Sequence, residues 1–234
     1  MFIFLDESFG ESHTVIGCLC VPKKIILDSE QNFLANRVRK NCWGELSWGG
    51  LSTGYIDKYK KFLQDYLSTE KVTFHSWAYE DPDIRYKGDR KKILHKHEYS
   101  LLKNTIRKCL NEGYGEFYIL LDKGQAESEY ALTRDYLEKT FSFNPKPKIL
   151  FSSAVDSKIV GAMQISSICV SAVRYLYGTL SADANKKLCE EIITLLTQLN
   201  LDTPLNFSPR VPKWDLSKKF SHCLFNPQLI KPRF

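Results

Sequence analysis

The sequence lacks a long hydrophobic run, and none approaches the roughly 20 residues that a membrane-spanning helix needs. The apolar opening, residues 1–5, has no basic lead and meets Asp6 at once, which does not fit a signal peptide. A phosphate-binding glycine loop is also missing, because Gly113-Tyr114-Gly115 stands alone and precedes a predicted strand rather than a helix. These absences argue against a membrane partner and against a dinucleotide-binding enzyme.

The cysteines lack any Cys-x-x-Cys spacing. There are seven, scattered from Cys18 to Cys223, and an odd, unpatterned count argues against both a structural zinc site and a disulfide scaffold. Nothing in the sequence singles out one cysteine as a nucleophile paired with a histidine. We therefore predict free thiols and a cytoplasmic location.

Basic residues exceed acidic residues by a modest margin, 33 to 27, giving a net charge of +6. This excess permits a polyanionic partner but is equally typical of an ordinary basic globular protein. The densest basic run includes a tyrosine that could stack on a base, so it is a candidate nucleic-acid-binding surface, although a solvated loop and helix start explains it as well. Its candidate residues are Arg85, Tyr86, Lys87, Arg90, Lys91 and Lys92.

Hydrophobic periodicity and turn residues predict a mixed α/β protein. The predicted strands cover residues 2–8, 13–21, 71–77, 116–122 and 148–155, and the predicted helices cover residues 25–42, 55–67, 89–111, 125–140, 160–177 and 182–199. A hairpin, a two-helix insertion and then alternating helices and strands fit a mixed five-stranded sheet flanked by helices. That is the element order of the ribonuclease-H-like fold, in which the first and fourth strands are neighbours. We predict one such domain over residues 1–200, with the helical insertion at 25–69 and an extended tail, 201–234, packed on it.

Three predicted strands each end in an aspartate: Asp6, Asp122 and Asp156. If the first and fourth strands are adjacent, Asp6 and Asp122 emerge about 4.8 Å apart along the backbone. Carboxylates that close repel each other unless a cation or proton lies between them, and all-oxygen sites suit Mg²⁺ or Mn²⁺. Such ions can support phosphodiester cleavage. Glu7 points to the opposite face of the strand unless the backbone turns there.

Each of these aspartates also has a plainer structural explanation. Asp122 precedes Lys123-Gly124 and could be an ordinary turn residue, and Asp156 precedes Ser157 and could cap the following helix. Only their recurrence in the right element order favours a common site.

Four short motifs occur in order along the first three quarters of the chain: Leu5-Asp6-Glu7-Ser8, Leu121-Asp122-Lys123, Asp156-Ser157-Lys158 and a helical segment, 161–167, that carries Gln164. In this the sequence resembles, over about residues 1–178, the prokaryotic group catalogued as domain-of-unknown-function family 3800 (DUF3800). The resemblance implies a ribonuclease-H-like nuclease and suggests a setting in mobile elements or antiviral defence. It also places a His or Lys near the site, where this chain has His75.

The chain departs from the family pattern at two positions. Phe9 stands where the family has a glycine, and Ser167 stands where the helix carries an aspartate. Gln164 and Ser167 are three residues apart and so share a helix face. A hydroxyl is a poorer magnesium ligand than a carboxylate, so either Asp156 and Glu98 compensate or metal binding is weakened or lost.

From these patterns we predict a Mg²⁺- or Mn²⁺-dependent nuclease acting on RNA or DNA. Asp6, Asp122 and Asp156 are the predicted metal ligands, with Glu7 in a secondary role. The residues predicted to orient phosphate or water are Lys123, Lys158, His75 and Gln164. The alternative is a catalytically degenerate module that binds nucleic acid, or that binds a protein partner or a second copy through its aromatic tail.

Overall fold

The computed structural model describes residues 1–10, 13–42, 44–46, 56–80, 90–122, 131–142, 146–175, 191, 194 and 220–225. Within them lie six strands and five helices. The strands are β1 (Phe2–Phe9), β2 (His13–Val21), β3 (Thr73–Glu80), β4 (Glu116–Asp122), β5 (Lys148–Val155) and β6 (Phe220–Phe225). The helices are α1 (Ile26–Arg39), α2 (Ile56–Leu67), α3 (Arg90–Asn111), α4 (Ala131–Thr140) and α5 (Gly161–Tyr175).

The strands form one mixed sheet in the order β5-β4-β1-β2-β3-β6. The first three strands are antiparallel neighbours, whereas β4 runs parallel to β1 and β5 runs parallel to β4. The predicted adjacency of the first and fourth strands is confirmed. This strand order, with helices on the sheet, is that of the ribonuclease-H-like fold, and the predicted two-helix insertion lies between β2 and β3 as α1 and α2.

The prediction of five strands was one short. The strand β6 comes from the predicted tail and pairs in parallel with β3, so this part of the tail extends the sheet. The helix predicted over 182–199 lies almost wholly outside the described residues, as does the start of the helix predicted from 125. No helix in the described part of the chain combines the length and apolar character needed to cross a bilayer.

Alternation along the strands separates two hydrophobic cores, one on each face of the sheet. On β1, Phe4 belongs to the core under α5, α1 and α2, whereas Ile3 and Leu5 belong to the core under α3 and α4. On β4, Leu120 packs against the first core, whereas Ile119 lies in the second. Because side chains alternate, these positions determine on which face of the sheet the later residues of β1 and β4 lie.

Helix α5 packs closely on β1 and β2. At Gly17 of β2 an added Cβ would come within 2.4 Å of the Val170 side chain, so only a glycine lets the helix approach this far. The Ser166 hydroxyl donates to the Phe4 carbonyl at 3.1 Å. The helix is thereby held over the middle of β1, which places the next residue, Ser167, beside the end of that strand.

The inserted helices fix the start of α5. Glu30 of α1 accepts hydrogen bonds from the main-chain nitrogens of Gly161, at 2.7 Å, and Ala162, at 2.8 Å. A carboxylate is favourable there because the first amides of a helix have no partner within it. Tyr66 of α2 donates its hydroxyl to the same carboxylate at 2.8 Å. The insertion is therefore part of the framework that positions α5.

Candidate functional site

Two aspartates end the adjacent parallel strands β1 and β4. Phe4 pairs with Leu120, and Asp6 and Asp122 each come two residues later in the same direction. Since side chains two apart share a face, both carboxylates emerge on the α5 side, from strands whose backbones are about one strand spacing, 4.8 Å, apart. The sequence predicted this pairing, and the strand register produces it.

The surroundings of Asp6 disfavour its charge. The pKa of the Asp6 carboxyl is raised to about 7, mainly by burial and also by the negative charges of Asp122 and Glu45. Hydrogen bonds from the Ser167 hydroxyl and the Glu7 main chain act in the opposite direction and lower this pKa. A half-buried carboxylate next to a second one is the arrangement expected where a cation or a proton normally intervenes.

Ser167 of α5 takes part directly in the site, since its hydroxyl hydrogen-bonds the Asp6 carboxylate. Residue 167 of α5 therefore faces Asp6. A serine at this position gives Asp6 a hydrogen-bond donor in place of a third negative charge.

Glu45 is an acidic neighbour of Asp6 that sequence reasoning did not identify. It lies in the segment 44–46 that follows α1, and it accepts a hydrogen bond from the Ser157 hydroxyl at 3.2 Å. Its charge acts on Asp6 across the site. The only sequence signal was a single acid in a stretch rich in glycine and tryptophan, which gave no reason to expect it near β1.

A buried arginine holds the Glu45 segment in place. The Arg37 side chain is only 6% exposed and donates to the carbonyls of Cys42, at 2.9 Å, and Gly44, at 2.8 Å. It also donates to the carbonyl of Lys158 at 3.2 Å, on the turn that follows β5. One side chain thus ties together the two segments that flank the carboxylates.

Gln164 reinforces the same connection. Its Oε1 accepts a hydrogen bond from the Leu46 nitrogen, and its Nε2 donates to the Lys158 carbonyl, both at 2.9 Å. The side chain is buried. The structure thus gives Gln164 a positioning role between two backbone segments, and its predicted contact with phosphate or water stays a prediction.

Asp156 follows Val155, which pairs with Asp122, so it lies at the same end of the sheet as the other two aspartates. Its Oδ1 accepts a hydrogen bond from the Lys158 nitrogen at 3.0 Å. This is a contact within the turn rather than the helix cap considered as the plainer explanation, because α5 begins only at Gly161. Lys158 is exposed on this turn, and its predicted contact with phosphate stays a prediction.

Three residues considered for the site in the sequence lie away from Asp6, on the α3 side of the sheet: Glu7, His75 and Glu98. Glu7 follows Asp6 on β1 and points away from α5, as the strand alternation requires. His75 pairs with Cys18 of the α3-side core, and burial, followed by the charge of Lys108, lowers its pKa to about 3. Glu98 of α3 is fully buried and contacts His95 at 2.8 Å. We therefore leave His75 and Glu98 out of the site beside Asp6.

The remaining predicted residues cannot be placed. Lys123, Arg85, Tyr86 and Lys87 lie outside the described residues. Arg90, Lys91 and Lys92 form the first turn of α3, but only their backbone is described. The predicted nucleic-acid-binding surface therefore stays a prediction.

The donor set suits a hard cation in kind but falls short in number. Asp6, Asp122 and Ser167 offer only oxygen atoms, the ligands that Mg²⁺ and Mn²⁺ prefer. Across the described ranges, however, no three His, Cys, Asp or Glu side chains come together closely enough to hold a metal ion. The side chains of the site by themselves form an incomplete coordination set.

The chain has a weak structural likeness to a known protein. No protein-family model matches the sequence, and no curated protein matches it. Among solved structures, ribonuclease H3 of Aquifex aeolicus is similar with a TM-score of 0.36 and 18% sequence identity, over 82% of this chain and 67% of the other. The fold assignment therefore rests on the strand order itself.

Proposed function

We propose that the protein is a ribonuclease-H-like nuclease that cleaves phosphodiester bonds in RNA or DNA with Mg²⁺ or Mn²⁺. The observation that carries the proposal is the position of Asp6 and Asp122 at the ends of adjacent parallel strands, on one face of the sheet. A half-buried pair of neighbouring carboxylates is unfavourable for folding, so its presence at the strand ends favours a role in binding. The order of the four sequence motifs is the reason for also proposing membership of the DUF3800 group.

Each residue of the site has a proposed role. Asp6 and Asp122 would hold the cation, and Ser167 orients Asp6 through its hydroxyl. When bound, the ion would supply Lewis-acid stabilisation of charge on the scissile phosphate. Lys158, exposed on the turn beside the aspartates, and Lys123 are the proposed phosphate contacts. Arg37 holds the two segments beside the aspartates in place by donating to the carbonyls of Gly44 and Lys158.

Cleavage of labelled nucleic acid tests this proposal. Purified protein would be incubated with Mn²⁺ and labelled single-stranded RNA, single-stranded DNA or RNA–DNA hybrid, beside the Asp6→Asn and Asp122→Asn variants. Asp135→Asn, a change on the exposed surface of α4, is the matched control. We expect cleavage by the wild type and the control, and a loss of at least about 100-fold in both site variants, because each removes a group that contacts the reacting phosphate or its cation. Equal activity in all four proteins would refute the nuclease assignment.

A non-cleaving module that binds nucleic acid is the second candidate, and the hydroxyl of Ser167 at the Asp6 carboxylate is the observation that favours it. Such a module would bind the same probes without cleaving them, and its affinity would fall steeply with salt because phosphate contacts release counterions. Binding without Mn²⁺-dependent cleavage, unchanged in Asp6→Asn, would support this candidate over the nuclease.

A further inference from the structure

We propose that two copies of this chain associate through the outer face of helix α1, with the two helices antiparallel. The proposal concerns a surface that takes no part in the proposed catalytic site, and it does not depend on the proposed function. Its starting point is a row of apolar side chains that α1 presents to solvent.

The apolar row on α1 consists of Leu27, Leu34 and Val38, which are 72%, 56% and 53% exposed. At 3.6 residues per turn, these three positions fall within about 40° of one another around the helix. A different side of α1 packs on the protein, because Phe33 and Arg37 are buried there. Apolar side chains that are aligned in this way on a solvent-facing helix surface mark an interaction site, whereas exposed apolar residues scattered singly are ordinary.

The spacing of the row is that of a seam between two paired helices. Successive members of the stripe are separated by four, three and four residues: Leu27, Gln31, Leu34 and Val38. This alternation keeps side chains on the line of contact when one helix packs along another. A single polar residue within such a seam, here the exposed Gln31, is a device that fixes how the two helices align. The stripe therefore has the pattern of one half of a helix pair.

Charged residues beside the stripe favour a second copy of α1 as the partner. Asp28 lies in the first turn of α1 and Arg39 in its last turn, and both side chains are exposed. They lie on the same flank of the stripe, about 100–120° around the helix from Leu27. In an antiparallel pair related by a two-fold axis, the same flank of each helix faces the other, so Asp28 of one copy approaches Arg39 of the second copy twice.

A parallel pair would lose this complementarity. It would bring the two acidic first turns together and the two basic last turns together, and it would also align the helix dipoles unfavourably. In the antiparallel pair, Leu27 of one copy lies opposite Val38 of the other, and Leu34 lies opposite Gln31. Asp28 and Arg39 of different copies then come within one helical turn of each other along the axis.

The size of the surface sets the strength of the association. Helix α1 has 14 residues and is therefore about 21 Å long. A single pair of helices of this length buries less than the roughly 800 Å² per partner of a standard protein–protein interface. We therefore expect a weak dimer, with a dissociation constant on the order of 10–100 μM.

Sedimentation velocity of the full chain, at about 5 to 500 μM, measures the association. Wild type should shift from monomer to dimer over this range, and Leu34→Asp should weaken the dimer at least about 10-fold, because it places a charge in the seam. Tyr136→Asp, a similar change at an exposed residue of α4, should behave as wild type. Circular dichroism would check that both variants are folded. Wild type that stays monomeric throughout, or a dimer that Leu34→Asp leaves unchanged, would overturn the proposal.

Cysteine crosslinking tests the direction of the helices. Leu27→Cys and Val38→Cys would be oxidised with glutathione disulfide, separately and as a mixture, and the linked peptides identified by mass spectrometry beside wild type, whose partly exposed Cys42 is the native background. A disulfide that joins positions 27 and 38 should form in the mixture at least about 10-fold more than one joining either variant to itself. Equivalent positions lie about 16 Å apart along the antiparallel pair, whereas a disulfide spans at most about 7 Å between Cα atoms. A dominant disulfide between two copies of one variant, or none between positions 27 and 38, would overturn the proposal.

Discussion

Replacing Asp6 with asparagine should stabilise the protein, and the gain should depend on pH. Asparagine has nearly the same shape, and its carbonyl oxygen can still accept the hydrogen bond from Ser167. The substitution therefore removes the buried charge and leaves the local contacts in place. A site residue whose removal increases stability is typical of a position retained for function.

The expected size follows from the pKa of Asp6, which rises from an ordinary value of 3.8 to about 7 in the folded protein. Below about pH 3 the carboxyl is almost wholly neutral in both the folded and the unfolded states, so it contributes little difference. As the pH rises to 7, the unfolded chain loses this proton before the folded one does, and the free energy of unfolding falls. At 1.36 kcal/mol per pH unit the full cost is roughly 4 kcal/mol, and solvent screening at a half-buried group reduces it to about 2–4 kcal/mol.

Urea denaturation from about pH 3 to pH 8, in the presence of a chelator, checks this prediction. The difference in unfolding free energy between Asp6→Asn and wild type should be smallest at about pH 3, grow as the pH rises towards 7, and level off above that. The exposed control Asp135→Asn should stay within about 0.5 kcal/mol of wild type throughout. A variant that is less stable than wild type at pH 8, or a gain that is the same at every pH, would refute the view that Asp6 carries a destabilising charge.

Two further predictions concern the supports of the site. Glu30→Gln should lower the free energy of unfolding by about 1–3 kcal/mol. The neutral amide of glutamine is a weaker acceptor for the first main-chain amides of α5 than the charged carboxylate. A change below about 0.3 kcal/mol in urea denaturation would contradict this prediction. Arg37→Met should lower the free energy of unfolding by about 2–4 kcal/mol, because the buried side chain loses three part-buried hydrogen bonds to carbonyls. Hydrogen exchange should then be faster at the Leu46 amide, and unchanged exchange there would show that Arg37 does not hold this segment.

Much of the fold could be predicted from local pattern. The strands β1, β2, β4 and β5 fall within a residue of their predicted bounds, because each is a short apolar run enclosed by turn residues. The adjacency of β1 and β4 followed from element order, since a hairpin followed by helix–strand units leaves few ways to complete the sheet. The sixth strand was missed because Phe220–Phe225 lies among prolines, and its pairing with β3 is a long-range contact that its own sequence does not signal.

The site was predicted only in part, again because some of its contacts join residues that are far apart in the sequence. Asp6 and Asp122 could be predicted because the order of the strands in the sheet is enough to locate a residue at the end of a strand. The proximity of Glu45 depends on hydrogen bonds from Arg37 and Gln164 to backbone groups far along the chain. His75 was misplaced because alternation along β3 is readable from sequence, whereas the face that α5 covers is not.

By itself, the sequence determined that strands β1 and β4 each end in an aspartate and that α5 carries a serine at position 167. These facts follow from hydrophobic period and motif, which are local. Only the tertiary structure decided that the serine faces Asp6, that Gln164 turns to the backbone, and that Asp156 caps its own turn. Side-chain hydrogen bonds of this kind depend on which segments the fold brings within about 3 Å of each other. The two carboxylates were therefore visible in the sequence, while the contacts around them were decided by the packing of α5 on β1.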